Sequence, residues 1–171
     1  ATMQPDTYLD SVRFESAGVE HGNWEVGIQG ANFYGPVSFS STSATLNDVT
    51  VGSLTGASPV VFHQPVSISG SSDYFLQQAH FKYPLTPSFT LNSAPTQQFH
   101  IRNSLFDRGL SLSAPRVFVS GSQFLRPSVI SKTGSGNDIS IGGNTYHGRI
   151  QLLSPSSGHL MMLSGEDRLI K

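Results

Sequence analysis

Residues 99–153, FHIRNSLFDRGLSLSAPRVFVSGSQFLRPSVISKTGSGNDISIGGNTYHGRIQLL, carry one pattern three times. Ile101-x-Asn103-x-x-Phe106, Val119-x-Gly121-x-x-Phe124 and Ile141-x-Gly143-x-x-Tyr146 each place an aliphatic anchor, then Asn or Gly two positions on, then an aromatic five positions on. The anchors are 18 and 22 residues apart. Recurrence at such a period is the signature of a stacked repeat architecture.

Working outward, the same reading gives Ile28-x-Gly30-x-x-Phe33, Leu46-x-Asp48-x-x-Val51, Ile68-x-Gly70 and Leu163-x-Gly165, with Tyr74 and Leu169 as the displaced apolar residues of the last two. The second position is Gly, Asn or Asp throughout, the residue types that tolerate positive φ. This predicts a short strand that turns a corner there, after which the aromatic returns to the interior. Val37/Phe39, Leu110/Leu112 and Ile150/Leu152, and less fully Ile130 with Ser128, supply a second alternating stretch, which marks a half-buried strand. One such unit cannot bury its own apolar face, whereas stacked units can. Seven coils at about 4.8 Å each would make a rod of roughly 34 Å.

Segments such as ISIGGNTYHG and VFVSGSQFLR resemble the coils of the right-handed parallel β-helix superfamily of pectate-lyase-like proteins and phage tailspikes. The resemblance covers about residues 24–171. It implies an all-β fold of about seven short coils, trimeric or part of a longer rod. The competing fold is an antiparallel β-sandwich, which leaves the 18/22 spacing unexplained. A coil pattern is a packing signature and carries no activity of its own.

Composition fits this architecture. Charged residues are 12%, about half the usual share, and 17 Gly and 10 Pro suit many strand ends and corners. The net charge of −1 gives the whole chain no strong electrostatic preference, and nucleic acid is not an expected partner. With no Cys, disulfides and thiolate chemistry are excluded. No apolar run is long enough to span a membrane, so membrane insertion is not expected. The opening ATMQPD lacks a signal-peptide pattern and reads as the edge of a processed or longer chain. The expected location is extracellular, at a cell surface or on a virion.

Residues 1–25 hold five carboxylates against Arg13 and read as an N-terminal cap or linker, with Val12-Arg13-Phe14 as a possible early strand; 26–171 read as the β-helix domain. The 33-residue step between the anchors at 68 and 101 predicts an irregular insertion over 80–98. There Phe89 is assigned to the core and Tyr83 to a ligand contact. Met161-Met162-Leu163 is the most apolar run near the C-terminal end and suggests a buried end or a subunit contact.

Residues 99–153 carry a net charge of +4. Arg108 and Arg126 each fall seven positions after their anchors and Arg149 falls eight after its own, so stacking should align them on one ridge. A solvated ridge needs no further explanation. As a site, it would take an anionic glycan. Trp24 is either core or a sugar-stacking platform.

Catalysis has weaker support. Glycoside cleavage needs two carboxylates about 5–10 Å apart. Asp73 and Asp107 are the first pair to consider, while Asp48 and Asp138 read as turn residues. The six His residues form no metal-ligand spacing, and no cofactor or metal is expected. The expectation is a carbohydrate-binding or receptor-binding spike or adhesin segment, a homo-oligomer contacting a glycan through Arg108, Arg126, Arg149, Tyr83 and Trp24. The alternative is a polysaccharide lyase or hydrolase on the same fold.

Overall fold

The computed structural model describes residues 5–16, 24–41, 46–53, 58–70, 72–91, 95–165 and 167–170. Among them there is no helix, and every strand pairing is parallel. Parallel pairing throughout rules out the antiparallel sandwich. The chain visits three sides in a fixed order. Sheet 1 has eight strands, sheet 3 has seven, and the middle side is formed by sheets 2a and 2b, of three and four strands. The result is a β-helix-like stack.

Sheet 1 is organised by one column of rings. Tyr8, Phe33, Phe62, Phe81, Phe106, Phe124 and Tyr146 are register partners on successive strands. Their centroids lie 4.7–5.3 Å apart, close to the strand spacing itself. From Phe33 to Phe124 each ring is fully buried or nearly so. The anchor-plus-five rule thus finds Phe33, Phe106, Phe124 and Tyr146. Sheet 3 faces this column with Ile28, Val51, Leu76, Ile101 and Val119 in register. Phe39, Phe89, Leu112 and Ile130 close the core from the middle side.

The corner after sheet 3 bends as expected at Gly30 (φ 57°), Asn103 (φ 49°), Gly121 (φ 60°) and Gly143 (φ 77°). Next to it runs a buried polar ladder. Ala79 N donates to Ser104 Oγ, Ser104 N to Ser122 Oγ, Ser122 N to Asn144 Oδ1 and Asn144 N to Asp167 Oδ1, at 2.7–3.1 Å. Each side chain satisfies a backbone donor of the coil below, which would otherwise be costly to bury.

Several expectations change. Leu46 starts strand Leu46–Val51 and Ile68 lies in sheet 2a opposite Phe39, so the true anchors there are Val51 and Leu76. Val51 is accordingly an anchor, and Tyr74 is a sheet 3 core residue. Asp48 sits within a strand beside Asp73, not at a corner. The 33-residue step results from the misplaced anchor at Ile68. Strands Ala79–Phe81, Ser88–Thr90 and Gln98–Arg102 make an ordinary visit to all three sides. Within the stretch read as a cap or linker, Asp6–Tyr8 and Val12–Ser16 already pair in sheets 1 and 2a.

Ile141 points outward at 72% exposed, with Ile139 at 51%. Strand Asp138–Gly142 has turned over, burying Asp138, Ser140 and Gly142 instead. The reason is hydrogen bonding: Val117 N donates to Asp138 Oδ2 at 2.8 Å and Val119 N to Ser140 Oγ at 2.9 Å. Asp138 is therefore a buried partner of strand Arg116–Ser120, also taking Arg116 Nε at 3.0 Å, and not a loop turn. The Leu163 side chain lies outside the described residues.

Candidate functional site: a cationic groove beside sheet 1

Beyond the ring column the chain leaves sheet 1 and enters a corner. The residues directly after the last four rings, Phe81, Phe106, Phe124 and Tyr146, are Lys82, Asp107, Leu125 and His147, and the next residue in two of these coils is Arg108 or Arg126. Parallel pairing puts successive members about one strand spacing apart. Backbone approach tightens the corner at Gly109 (φ 78°), where a Cβ would lie 2.2 Å from Pro127 O and 2.7 Å from Arg126 O. Only glycine lets the Arg108 turn sit directly against the Arg126 turn. Thr86 Oγ1 donates to Arg108 O at 3.1 Å and fixes the turn from the other side.

The outcome is an open groove of about 600 Å³ whose walls include Lys82, Asp107, Arg108, Arg126, His147 and Ile170. Among the described residues, three cationic side chains face a single carboxylate there. That carboxylate is engaged: Asp107 Oδ1 lies 2.8 Å from His80 Nε2. Among the described residues, neither arginine forms an ion pair. Two guanidinium groups at adjacent turns present paired N–H forks, the geometry that suits carboxylates, sulfates and phosphates.

The structure brings Arg108 and Arg126 together, as the spacing predicts. Arg149 is offset, because Gly148 occupies the aligned position. It lines an adjoining hollow of about 270 Å³ with Leu169 and Ile170, and Ile170 also borders the main groove. Tyr83 is not available as an exposed ligand contact. It is 3% exposed, its ring packs edge-on to Phe81 at 6.3 Å, and burial pushes its hydroxyl up to about 12. The Trp24 backbone opens strand Trp24–Ile28, and its side chain lies outside the described residues. Sequence reasoning missed Lys82 and His147. The position after each ring points to His147 behind Tyr146, and to Lys82 once Phe81 is placed in the ring column.

Two further outer features matter. Upstream in the same row of sheet 1, Tyr34 and His63 stack at 4.2 Å, and burial with nearby Lys82 and His80 lowers the His63 pKa. On sheet 3, Phe75, His100 and Phe118 stack at 4.6 and 4.3 Å with Arg116 5.2 Å over the last ring. Burial, helped by Arg102 and Arg116, lowers His100 to about 4. Asp73 and Asp107 do not form a dyad: Asp73 lies on sheet 3 and Asp107 follows a sheet 1 strand. The neighbour of Asp73 is Asp48, its register partner. Burial raises the Asp73 pKa and the Asp48 charge adds to it, against hydrogen bonding from Gln98 N at 2.8 Å.

No protein-family model, curated protein or solved structure matches this chain. Among the described residues no group of His, Asp and Glu is placed to hold a metal ion, and no helix is long and apolar enough to cross a membrane.

Proposed function

We propose that this chain is a carbohydrate-binding segment of an extracellular or virion spike or adhesin. It is a right-handed parallel β-helix of about seven coils, acting as a trimer or as part of a longer rod. Its lateral groove holds an anionic polysaccharide. One observation carries the reading: Lys82, Arg108 and Arg126 converge on one open groove whose only carboxylate among the described residues is already bound to His80. A surface ridge kept for solubility would gain nothing from concentrating cations in a concavity. A concave cationic site, by contrast, raises the local concentration of an anionic ligand.

The test is a panel of acidic and neutral surface polysaccharides, following both retention of the protein and the length of the glycan. Retention of acidic chains without shortening supports the binding module. Absence of retention across the panel refutes it.

A specific observation also favours the enzymatic reading, though on different residues. Asp48 and Asp73 sit on adjacent strands, about 4.8 Å apart at the backbone, and one of them holds its proton more tightly than usual. Two carboxylates on neighbouring strands of one face are the kind of pair a glycosidase uses. Shortened glycan that survives Asp107→Asn and disappears in Asp73→Asn is the expected result on this reading.

A further inference from the structure

The row of residues that lines the groove is fixed by the backbone. Lys82 N donates to Phe62 O at 2.9 Å, Asp107 N to Phe81 O at 3.1 Å, Leu125 N to Phe106 O at 2.9 Å and His147 N to Phe124 O at 2.8 Å. Asp107 therefore sits between Lys82 and Leu125 in this row, with Arg108 directly after it and Arg126 on the next turn. A carboxylate at this place works against a groove for simple anions. It repels an incoming negative charge, and it would quench a cation if it paired with one.

Among the described residues, Asp107 forms no ion pair with Lys82, Arg108 or Arg126. Its partner is His80, from the preceding coil, whose Nε2 lies 2.8 Å from Asp107 Oδ1. An ionised carboxylate only accepts, so the hydrogen is on Nε2. This anchor turns the carboxylate away from the three cations and occupies one of its two oxygens. Among the described residues Oδ2 meets no donor, and the side chain is 33% exposed on the groove wall.

The groove thus presents cationic donors and one charged acceptor side by side. A bare carboxylate, sulfate or phosphate group is an acceptor and can use only the cations. A sugar acid brings hydroxyls beside its charge, and a hydroxyl that donates to a carboxylate makes a charge-assisted hydrogen bond. A site built to bond a hydroxyl rejects the analogue that lacks it, because the site's own polar group is then left unpaired.

We propose that Asp107, held in place by His80, is the specificity-determining residue of the groove: Oδ2 accepts a hydrogen bond from a hydroxyl of the sugar whose anionic group the arginines hold. This rests on the reading of the groove as a polysaccharide site. The cations attract any polyanion, and Asp107 selects one with hydroxyls next to its charge, as in a polyuronate.

The test is Asp107→Asn in the full chain, which keeps an oxygen to accept from His80 Nε2. The probes are polygalacturonate and alginate, with polyacrylate as a polyanion lacking hydroxyls, and the melting temperature is recorded. The quantity read is the preference, the affinity for the better-bound polysaccharide divided by that for polyacrylate, because loss of the repelling charge acts on both polymers and cancels. The wild-type protein is expected to prefer the polysaccharide at least tenfold, and Asp107→Asn to lower that preference about tenfold, the scale of a hydrogen bond to a charged group. Asp107→Ser, which loses both the charge and the reach, supplies the same comparison if the amide variant does not fold.

A folded variant that keeps the wild-type preference, with both affinities unchanged or both shifted by the same factor, overturns the assignment and leaves the groove standing. Wild-type protein that holds polyacrylate as tightly as either polysaccharide also overturns it. Wild-type protein that holds none of the probes overturns Asp107 and the groove together.

Discussion

Replacing Phe106 by Ala tests the ring column at its centre. The Phe106 side chain is 0% exposed and lies between Phe81, at 4.7 Å and 5°, and Phe124, at 5.1 Å and 6°. Its removal leaves a cavity bounded by two rings and by rigid backbone ladders that cannot collapse. Truncation of a buried Phe costs about 3–5 kcal/mol, and this site belongs at the upper end because relaxation is blocked on both sides. Phe106→Leu retains most of the apolar volume and loses two stacked contacts of about 0.5–1.5 kcal/mol each, so a cost of about 1–3 kcal/mol is expected. Phe118 makes comparable ring contacts on the outer face of sheet 3, with His100 at 4.3 Å, but is only half-buried. Phe118→Ala should cost about 1–2 kcal/mol.

The assay is urea unfolding followed by far-UV circular dichroism, with a double-mutant cycle on Phe106 and Phe124. The expected order is Phe106→Ala, then Phe106→Leu and Phe118→Ala, with a coupling of about 0.5–1.5 kcal/mol between the two core rings. Equal costs for Phe106→Ala and Phe118→Ala, or zero coupling, would refute the assignment of the inward face.

Three other outcomes follow. His100 has its pKa lowered to about 4 from 6.5, so the folded state resists its protonation. Its contribution is complete above pH 6.5 and is lost as the pH falls towards 4; the shift implies about 3 kcal/mol, reduced to about 2 by partial solvent screening. The raised pKa of Asp73 acts oppositely, favouring the folded state as that carboxyl protonates, so the comparison to make is chemical denaturation of wild type and His100→Phe across pH 4–7, where the variant should have the shallower slope. Gly109→Ala should cost more than about 2 kcal/mol, since the new methyl would meet Pro127 O at 2.2 Å with φ at +78°; a thermal melt unchanged from wild type would contradict the close packing of the two arginine turns. Ile141→Ser should shift stability by no more than about 0.5 kcal/mol, because the side chain is 72% exposed, and a loss above 2 kcal/mol would return Ile141 to the core.

The sequence revealed the stacking principle because the corner and the ring column are both local. A residue tolerant of positive φ followed three positions later by an aromatic is visible wherever the corner is short, as at Gly30/Phe33, Asn103/Phe106, Gly121/Phe124 and Gly143/Tyr146. It failed at Ile68-x-Gly70 because sheet 2a ends in the same local chemistry: Gly70 also has positive φ (105°), so the motif marks a strand end without saying which sheet. It failed at Ile141 because a period of two does not distinguish inside from outside. The strand turned over so that Asp138 and Ser140 could accept from Val117 and Val119, a long-range hydrogen-bonding demand invisible in a local pattern. The seven-residue offset put Arg108 and Arg126 on neighbouring turns, and they line one groove. Lys82 escaped because its coil had been read as an insertion, and Tyr83 was misassigned for the same reason.

The central claim is that Arg108 and Arg126 together hold an anionic glycan. The most direct measurement is the affinity of wild type and of Arg108→Ala/Arg126→Ala for the retained acidic polysaccharide, at rising salt, with the melting temperature of each protein recorded. The account predicts weaker binding in the double variant, a shallower dependence on salt, and a melting temperature close to wild type, since both side chains are exposed. Equal affinity and an equal salt dependence in the two proteins would contradict it.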